Sequence, residues 1–286
     1  MLSRVSQLSD MCPPDRAEDR ARPAAARPAP AVVKQPADVA LVLASLALLA
    51  LQAVLDPRAR PLISLALALG GAGLAVVAAR RPHAGAIATL LACLLAAEQT
   101  LLPWQAEMAI ALAAYAALTT LVPTLRPPPG WAERGRLPLR WIALVGGVTP
   151  GALTAWLFLL KPDLSDLTSS ALLQVPRAVL LVGGVAFALI NAALEELIWR
   201  GVIQTALVSA SPSRTGAHAA ILIQAVSFGL QHAHGFPRGV VGVTLAAGWA
   251  VMLGLLRQHS RGLLAPFLAH VVADATIAIL VLGYVL

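Results

Sequence analysis

The sequence predicts an all-α fold, a polytopic transmembrane bundle of about eight or nine helices with a buried polar site. Three observations support this prediction. Of the 286 residues, 58% are apolar and only 12% are charged, whereas soluble domains contain about 25% charged residues. From Val39 onward, apolar runs near the bilayer-spanning length of about 20 residues follow one another. One run nevertheless contains three charges within six residues, Glu195, Glu196 and Arg200.

The chain divides into three predicted parts. Residues 1–37 are rich in Arg, Asp, Pro and Ala and have no apolar period, which predicts a disordered cytoplasmic tail. Residues 38–160 predict a first group of transmembrane helices, and 178–286 a core that contains the charged run. The predicted spans are 39–55, 61–79, 84–103, 106–125, 141–160, 178–208, 217–236, 239–256 and 263–285. The third and fourth spans are close enough in sequence to form a re-entrant hairpin instead.

The basic residues predict a location and an orientation rather than a nucleic-acid partner. The formal charge is +7, but the arginines lie mostly between apolar segments, which is typical of membrane orientation signals. With the N-terminus inside, the inner segments hold fifteen Lys and Arg and the outer segments five. The excess of arginine over lysine suggests a GC-rich bacterial sequence. We therefore expect a multi-pass protein of the bacterial cytoplasmic membrane, with its N-terminus inside and its C-terminus outside.

The charged run predicts a functional site. A charged residue at the centre of a span costs about 2.5–3.5 kcal/mol, so such residues usually face the bundle interior. Glu196 and Arg200 are four residues apart and share a helical face, where they can pair. Glu195 is rotated by about 100° from Glu196. The pattern predicts that one carboxylate is held by the arginine and that the other is free for chemistry.

The span from 178 to 208 is too long for one perpendicular crossing, since as a straight helix it would measure about 46 Å. We expect it to tilt, to bend near Gly201, or to extend beyond the bilayer.

Two further pairs of side chains stand at four-residue spacing within apolar runs. Phe228 and His232 form one pair, and His270 and Asp274 the other, so each pair shares a helical face. A buried carboxylate beside a histidine can take a proton from water and return it to a leaving amine. A second histidine, with Asp274 fixing its tautomer, could donate a hydrogen bond to an oxyanion.

A metal site is the alternative use of the same side chains. Glu195, His232 and His270 could be three zinc ligands, with water in the fourth position. The sequence contains no HExxH motif, and its two cysteines, Cys12 and Cys93, form no CxxC metal signature. We expect no cofactor, with zinc as the less favoured possibility.

The three motifs together resemble a known family. A Glu-Glu-x-x-x-Arg motif at 195–200 is followed by Phe-x-x-x-His at 228–232 and His-x-x-x-Asp at 270–274. In order and spacing they resemble the CAAX-processing and bacteriocin-processing intramembrane endopeptidases, also called the Abi or type II CAAX proteases. The resemblance covers about residues 178–286. It implies a metal-free glutamate mechanism, while the first five spans are outside it and vary in such proteins.

The resemblance also implies a role for each site residue. Glu195 would activate water with the help of His232, while His270 and Asp274 would form the oxyanion side. Glu196, Arg200 and Phe228 would be supporting residues. The prenyl-protein proteases typically carry Asn at the position of Asp274. An ionised Asp cannot donate to an oxyanion, so Asp274 must be protonated or must orient His270.

The sequence therefore predicts an intramembrane endopeptidase that cleaves a membrane-tethered or exported peptide or protein, in a sorting or maturation step. Its partners would be that substrate and the lipid bilayer, with no nucleic acid; the oligomeric state stays open. The main alternative is a non-catalytic immunity or scaffold protein of the same family. A transporter is a third hypothesis, because intramembrane carboxylates and histidines can relay protons.

Overall fold

The computed structural model describes residues 36–55, 60–126, 128–162, 174–235 and 237–285. Within these residues it has helices and no strand, which confirms the all-α prediction. The predicted tail lies almost wholly outside the described residues, and the first helix begins at Pro36. The helices are α1 Pro36–Leu55, α2 Pro61–Ala78, α3 Pro82–Glu98, α4 Trp104–Leu121, α5 Leu139–Leu160, α6 Arg177–Glu196, α7 Thr205–Ala210, α8 Arg214–Leu230, α9 Gly239–Ser260 and α10 Leu264–Val285.

The first three helices each begin at a proline. The first residues of a helix have no intrahelical partner for their backbone N–H, so proline loses nothing there, and its fixed φ suits the helix. Length and composition then identify six stretches in the described part that could cross a membrane: α1, α2, α5, the stretch Arg177–Ala210, α9 and α10. The nine predicted spans therefore appear as nine long helices, of which six meet this criterion.

Helix α3 differs from the others in its surroundings. It has 17 residues, and it is too short to count among the six candidate spans. Most of its side chains are buried by α1, α2, α4 and α7. The third predicted span is thus an interior helix, because protein rather than lipid covers it.

The long stretch Arg177–Ala210 contains a change of helical register. Between α6 and α7, the segment Leu197–Gln204 is π-helical. In keeping with this wider turn, the Thr205 hydroxyl donates to the Arg200 carbonyl oxygen, five residues back, at 3.1 Å. The sequence predicted a tilt, a bend near Gly201 or an extension, and the structure shows an irregularity centred on that glycine. Such π segments are frequent at functional sites.

The helices of the second half pack closely through small side chains. Helix α6 packs against α10, α8 against α9, and α5 against α10. On α10, Ala265, Ala269 and Ala273 are buried at four-residue spacing. Small residues let neighbouring helices approach closely in a membrane bundle. This packing brings the polar side chains of α6 and α10 within hydrogen-bonding distance of one another.

Gly229 lies where α8 and α9 approach closely, and Gly229→Ala should destabilise the bundle. An added Cβ would lie 2.7 Å from both the Val243 carbonyl oxygen and the Ala247 Cβ. Overpacking of this kind costs about 1–3 kcal/mol. Thermal unfolding of the purified protein in detergent measures the loss. Gly183→Ala on α6 is the control, since nothing lies within 4 Å of its added Cβ; equal melting temperatures for the two variants would contradict the prediction.

Candidate active site

Three elements of the second half bring the predicted residues to one place. Glu195 and Glu196 end α6, Arg200 lies in the π-helical segment, and His270 and Asp274 are one turn apart on α10. All five residues are buried, with at most 7% of the surface of each residue exposed. The charges are therefore enclosed by protein, as their high cost inside a bilayer requires.

Glu196 is the residue that joins α6 to α10. Its Oε1 accepts a hydrogen bond from Arg200 Nη1 at 2.9 Å and another from His270 Nδ1 at 2.7 Å. The carboxylate can only accept, so the proton of Nδ1 is fixed on that nitrogen. The direct orienting partner of His270 is thus Glu196, a contact that sequence spacing gave no reason to expect.

The other nitrogen of His270 faces two more carboxylates. Its Nε2 lies 3.4 Å from Glu195 Oε2 and 3.7 Å from Asp274 Oδ1. Glu195 thus lies beside His270, whereas Glu196 makes the contact with Arg200. This matches the division that the sequence predicted, with one carboxylate held by the arginine and one directed elsewhere.

The aromatic ring of Phe228 packs against three of the polar side chains. The Arg200 guanidinium carbon lies 4.8 Å from its ring centroid, within the range of a cation–π contact. Its ring centroid is 5.0 Å from that of His232 and 6.2 Å from that of His270. A single apolar ring thus packs against both histidines and the arginine.

His232 follows α8 in a short 3-10 turn, Gln231–Ala233. Its Nδ1 is 3.3 Å from the Phe228 carbonyl oxygen. A carbonyl oxygen can only accept, so Nδ1 carries the proton and the neutral ring has its lone pair on Nε2. Nε2 is therefore the nitrogen of His232 that can accept a proton.

These groups line a cavity of about 750 Å³, within the usual size range of ligand pockets. Glu195, His232, His270 and Asp274 all contribute to its wall. Residues of the first half of the chain also line the cavity: Gln52, Ala53, Glu98, Trp104 and Gln105. Glu196 and Arg200 lie behind the cavity wall, which suits a supporting role.

Two polar residues of the site were not found from the sequence. The Asn191 side chain donates from Nδ2 to Asp274 Oδ2 at 3.1 Å, and Gln105 Nε2 donates to Asn191 Oδ1 at 3.3 Å. Asn191 precedes Glu195 by four residues, so the same-face spacing could have revealed it. Gln105 comes from α4 in the other half of the chain, and no sequence signal connects it to the motifs.

The structure does not favour the zinc arrangement. Among the described residues, no three His, Cys, Asp or Glu side chains are grouped so that they could hold a metal ion. Glu195, His232 and His270, the ligands of the alternative hypothesis, are all described and do not form such a group.

A comparison with family models gives a match within the second half of the chain. Residues 177–276 match the model described as Rce1-like, type II CAAX prenyl endopeptidase. The match includes all seven residues of the three motifs and confirms the resemblance that they predicted. Gln105 and the whole first half lie outside it. Neither the curated proteins nor the solved structures gave a match to the chain.

Proposed function

We propose, from the Rce1-like match of residues 177–276, that this protein is an intramembrane endopeptidase. It hydrolyses a peptide bond of a membrane-tethered or exported protein, with water activated by Glu195 and His232. The observation that carries this proposal is the convergence of these two side chains with His270 and Asp274 on one cavity between apolar helices.

The geometry supports a defined path for the protons. Water between Glu195 and His232 loses a proton to this pair and attacks the carbonyl carbon of the substrate. The same proton then passes to the leaving amine, and the C–N bond breaks. His270, held through Nδ1 by Glu196, is positioned to donate from Nε2 to the oxyanion when that nitrogen carries a proton.

Asp274 acts as an acceptor in this scheme. Its Oδ2 accepts from Asn191, and its Oδ1 faces His270 Nε2. A carboxylate in these contacts helps to orient the histidine and gives no hydrogen bond to the oxyanion. In this proposal Asp274 therefore needs no proton, although the prenyl-protein proteases typically have Asn at this position.

The substrate class follows from the position of the cavity. The helices around it have long apolar faces, among them α1, α5, α6 and α9, which are candidate membrane spans. A segment that lies in the bilayer or is anchored to it can reach such a site. From the distribution of Lys and Arg we further propose an inside N-terminus and an outside C-terminus. Labelling of single cysteines at loop positions from either side tests this orientation.

The test of the proposed function is a comparison of cleaved proteins in cells. Mass spectrometry of new protein N-termini is carried out on cells that express the wild type or the Glu195→Gln variant at equal level. We expect membrane-tethered or exported proteins with termini that occur only with the wild type. Identical sets of termini, together with a wild-type phenotype of the variant, would favour the immunity or scaffold hypothesis.

Removal of metal ions by a chelator distinguishes the metal-free glutamate mechanism from a zinc-dependent one. In purified protein with a quenched fluorescent peptide that ends in a farnesylated CAAX sequence, we expect 1,10-phenanthroline to leave the cleavage rate within about twofold of the untreated rate. This expectation follows from the proposed mechanism, in which Glu195 and His232 activate water without a metal ion. Loss of cleavage that is restored by added zinc, with the non-chelating 1,7-phenanthroline as control, would contradict it.

A further inference from the structure

Asn191 occupies a central position among the polar side chains of the site. It lies on α6 one helical turn before Glu195, is 6% exposed and lines the cavity. Its Nδ2 donates to Asp274 Oδ2 at 3.1 Å. The same side chain interacts with the Glu195 carboxylate. One neutral amide thus stands between two acidic groups.

The orientation of this amide is determined by its neighbours. If the amide were turned around, its oxygen would face the Asp274 carboxylate, and two acceptors would be opposed. On the other side, the Gln105 Nε2 donates to Asn191 Oδ1 at 3.3 Å, which only an oxygen can accept. The chain of donors therefore runs in one direction, from Gln105 through Asn191 to Asp274.

The position of the Asn191 amide reduces the repulsion between two buried carboxylates. Glu195 Oε2 and Asp274 Oδ1 lie 3.4 Å and 3.7 Å from the same nitrogen of His270. Two carboxylates this close repel each other, and burial in low dielectric increases the repulsion. A neutral donor between them satisfies the acceptors without adding a charge. The hydrogen bond of Arg200 Nη1 goes to Glu196 instead.

We infer that Asn191 is a positioning residue, which holds the carboxylates of Glu195 and Asp274 in fixed places beside the substrate cavity. Gln105 orients the Asn191 amide, so that α4 takes part in the site even though it lies outside the family match. This inference rests on the proposed endopeptidase function. It assigns a role in that function to a helix of the first half of the chain.

A reciprocal exchange tests the inference. Asn191→Asp opposes two carboxylates, and we expect kcat for the farnesylated CAAX peptide to fall about a hundredfold while KM changes by less than about threefold, because misplacement of a reacting group costs about this much. Asn191→Asp combined with Asp274→Asn restores one amide and one carboxylate in contact. We expect the double variant to regain at least about fivefold in kcat over Asn191→Asp, since residues in contact are not additive; it should stay below the wild type, because the carboxylate introduced at position 191 still faces Glu195.

A second variant tests the inference even if Asn191→Asp does not fold. Gln105→Leu leaves Asn191 in place but removes its orienting donor, and we expect kcat to fall about tenfold with an unchanged melting temperature. Gln99→Leu is the matched control: Gln99 bonds to the Ser64 hydroxyl at 2.6 Å and does not line the cavity, so kcat should stay within about twofold of the wild type.

The outcomes separate this inference from the proposed function. Wild-type kcat in both Asn191→Asp and Gln105→Leu, with Glu195→Gln inactive, would overturn the positioning role alone. An Asn191→Asp variant that folds but is not rescued by Asp274→Asn would also overturn it. Wild-type protein that cleaves the peptide and cellular proteins no better than Glu195→Gln would overturn the proposed function and the role of Asn191 with it.

Discussion

Glu195→Gln is expected to lower kcat/KM at least a thousandfold without loss of folded protein. The glutamine has nearly the same shape, so the packing at the end of α6 is kept, but it cannot accept a proton from water. Removal of a general base costs about 10²–10⁴ in rate, and here the base also faces His270 Nε2 at 3.4 Å. Cleavage of a peptide or cellular substrate, together with size-exclusion elution and melting temperature, measures both parts of the prediction.

Glu107→Gln provides the matched control for this variant. Glu107 is a buried glutamate of α4, 1% exposed, that does not line the cavity. We expect its replacement to leave the rate within about threefold of the wild type. Retention of activity in Glu195→Gln would assign the water-activating step to another group, and equal losses in both variants would point to a general effect of removing buried charge.

Arg200→Leu is expected to destabilise the protein by about 3–5 kcal/mol, the usual consequence of removing one partner of a buried ion pair. Arg200 and Glu196 have side-chain exposures of 0% and 2%, and their contact is 2.9 Å long. After the substitution, Glu196 keeps only its hydrogen bond from His270 Nδ1. The loss should appear as a lower melting temperature and as a lower yield of protein that elutes as a single species.

A double variant distinguishes an unpaired charge from lost packing. Arg200→Leu combined with Glu196→Gln removes both charges, and we expect it to be more stable than Arg200→Leu alone. It should nevertheless be a poor enzyme, because His270 loses its carboxylate partner. Equal stability of the single and double variants would show that the contact of Arg200 with the Phe228 ring, at 4.8 Å, contributes more than the ion pair.

Much of the fold follows from hydrophobic pattern alone. Nine apolar runs predicted nine long helices, and the ends agree within a few residues for most of them, because proline and polar loops mark the boundaries. The pattern could not show that α3 lies in the interior, since lipid and protein interiors select the same apolar residues. Nor could it identify the π-helical segment, because the residues Leu197–Gln204 have no composition that distinguishes them from an α-helix.

The grouping of the candidate site residues was predictable where they lie close together in the sequence. Four-residue spacing identified Glu196 with Arg200, Phe228 with His232, and His270 with Asp274. The contacts between helices were not predictable, since they depend on the packing of α6 against α10. For this reason the bond from His270 to Glu196 and the contribution of Gln105 emerged only from the structure.

The interior position of α3 has a consequence for biosynthesis. At 17 residues it measures about 25 Å, less than the hydrocarbon thickness of about 30 Å, and it ends at the buried Glu98. The translocon is not expected to release such a helix readily into lipid. Helices α1 and α2 leave the ribosome earlier, and α3 packs against both. When α3 emerges, α1 and α2 have therefore already been synthesised and can cover it. The helices are made in the order in which they can pack.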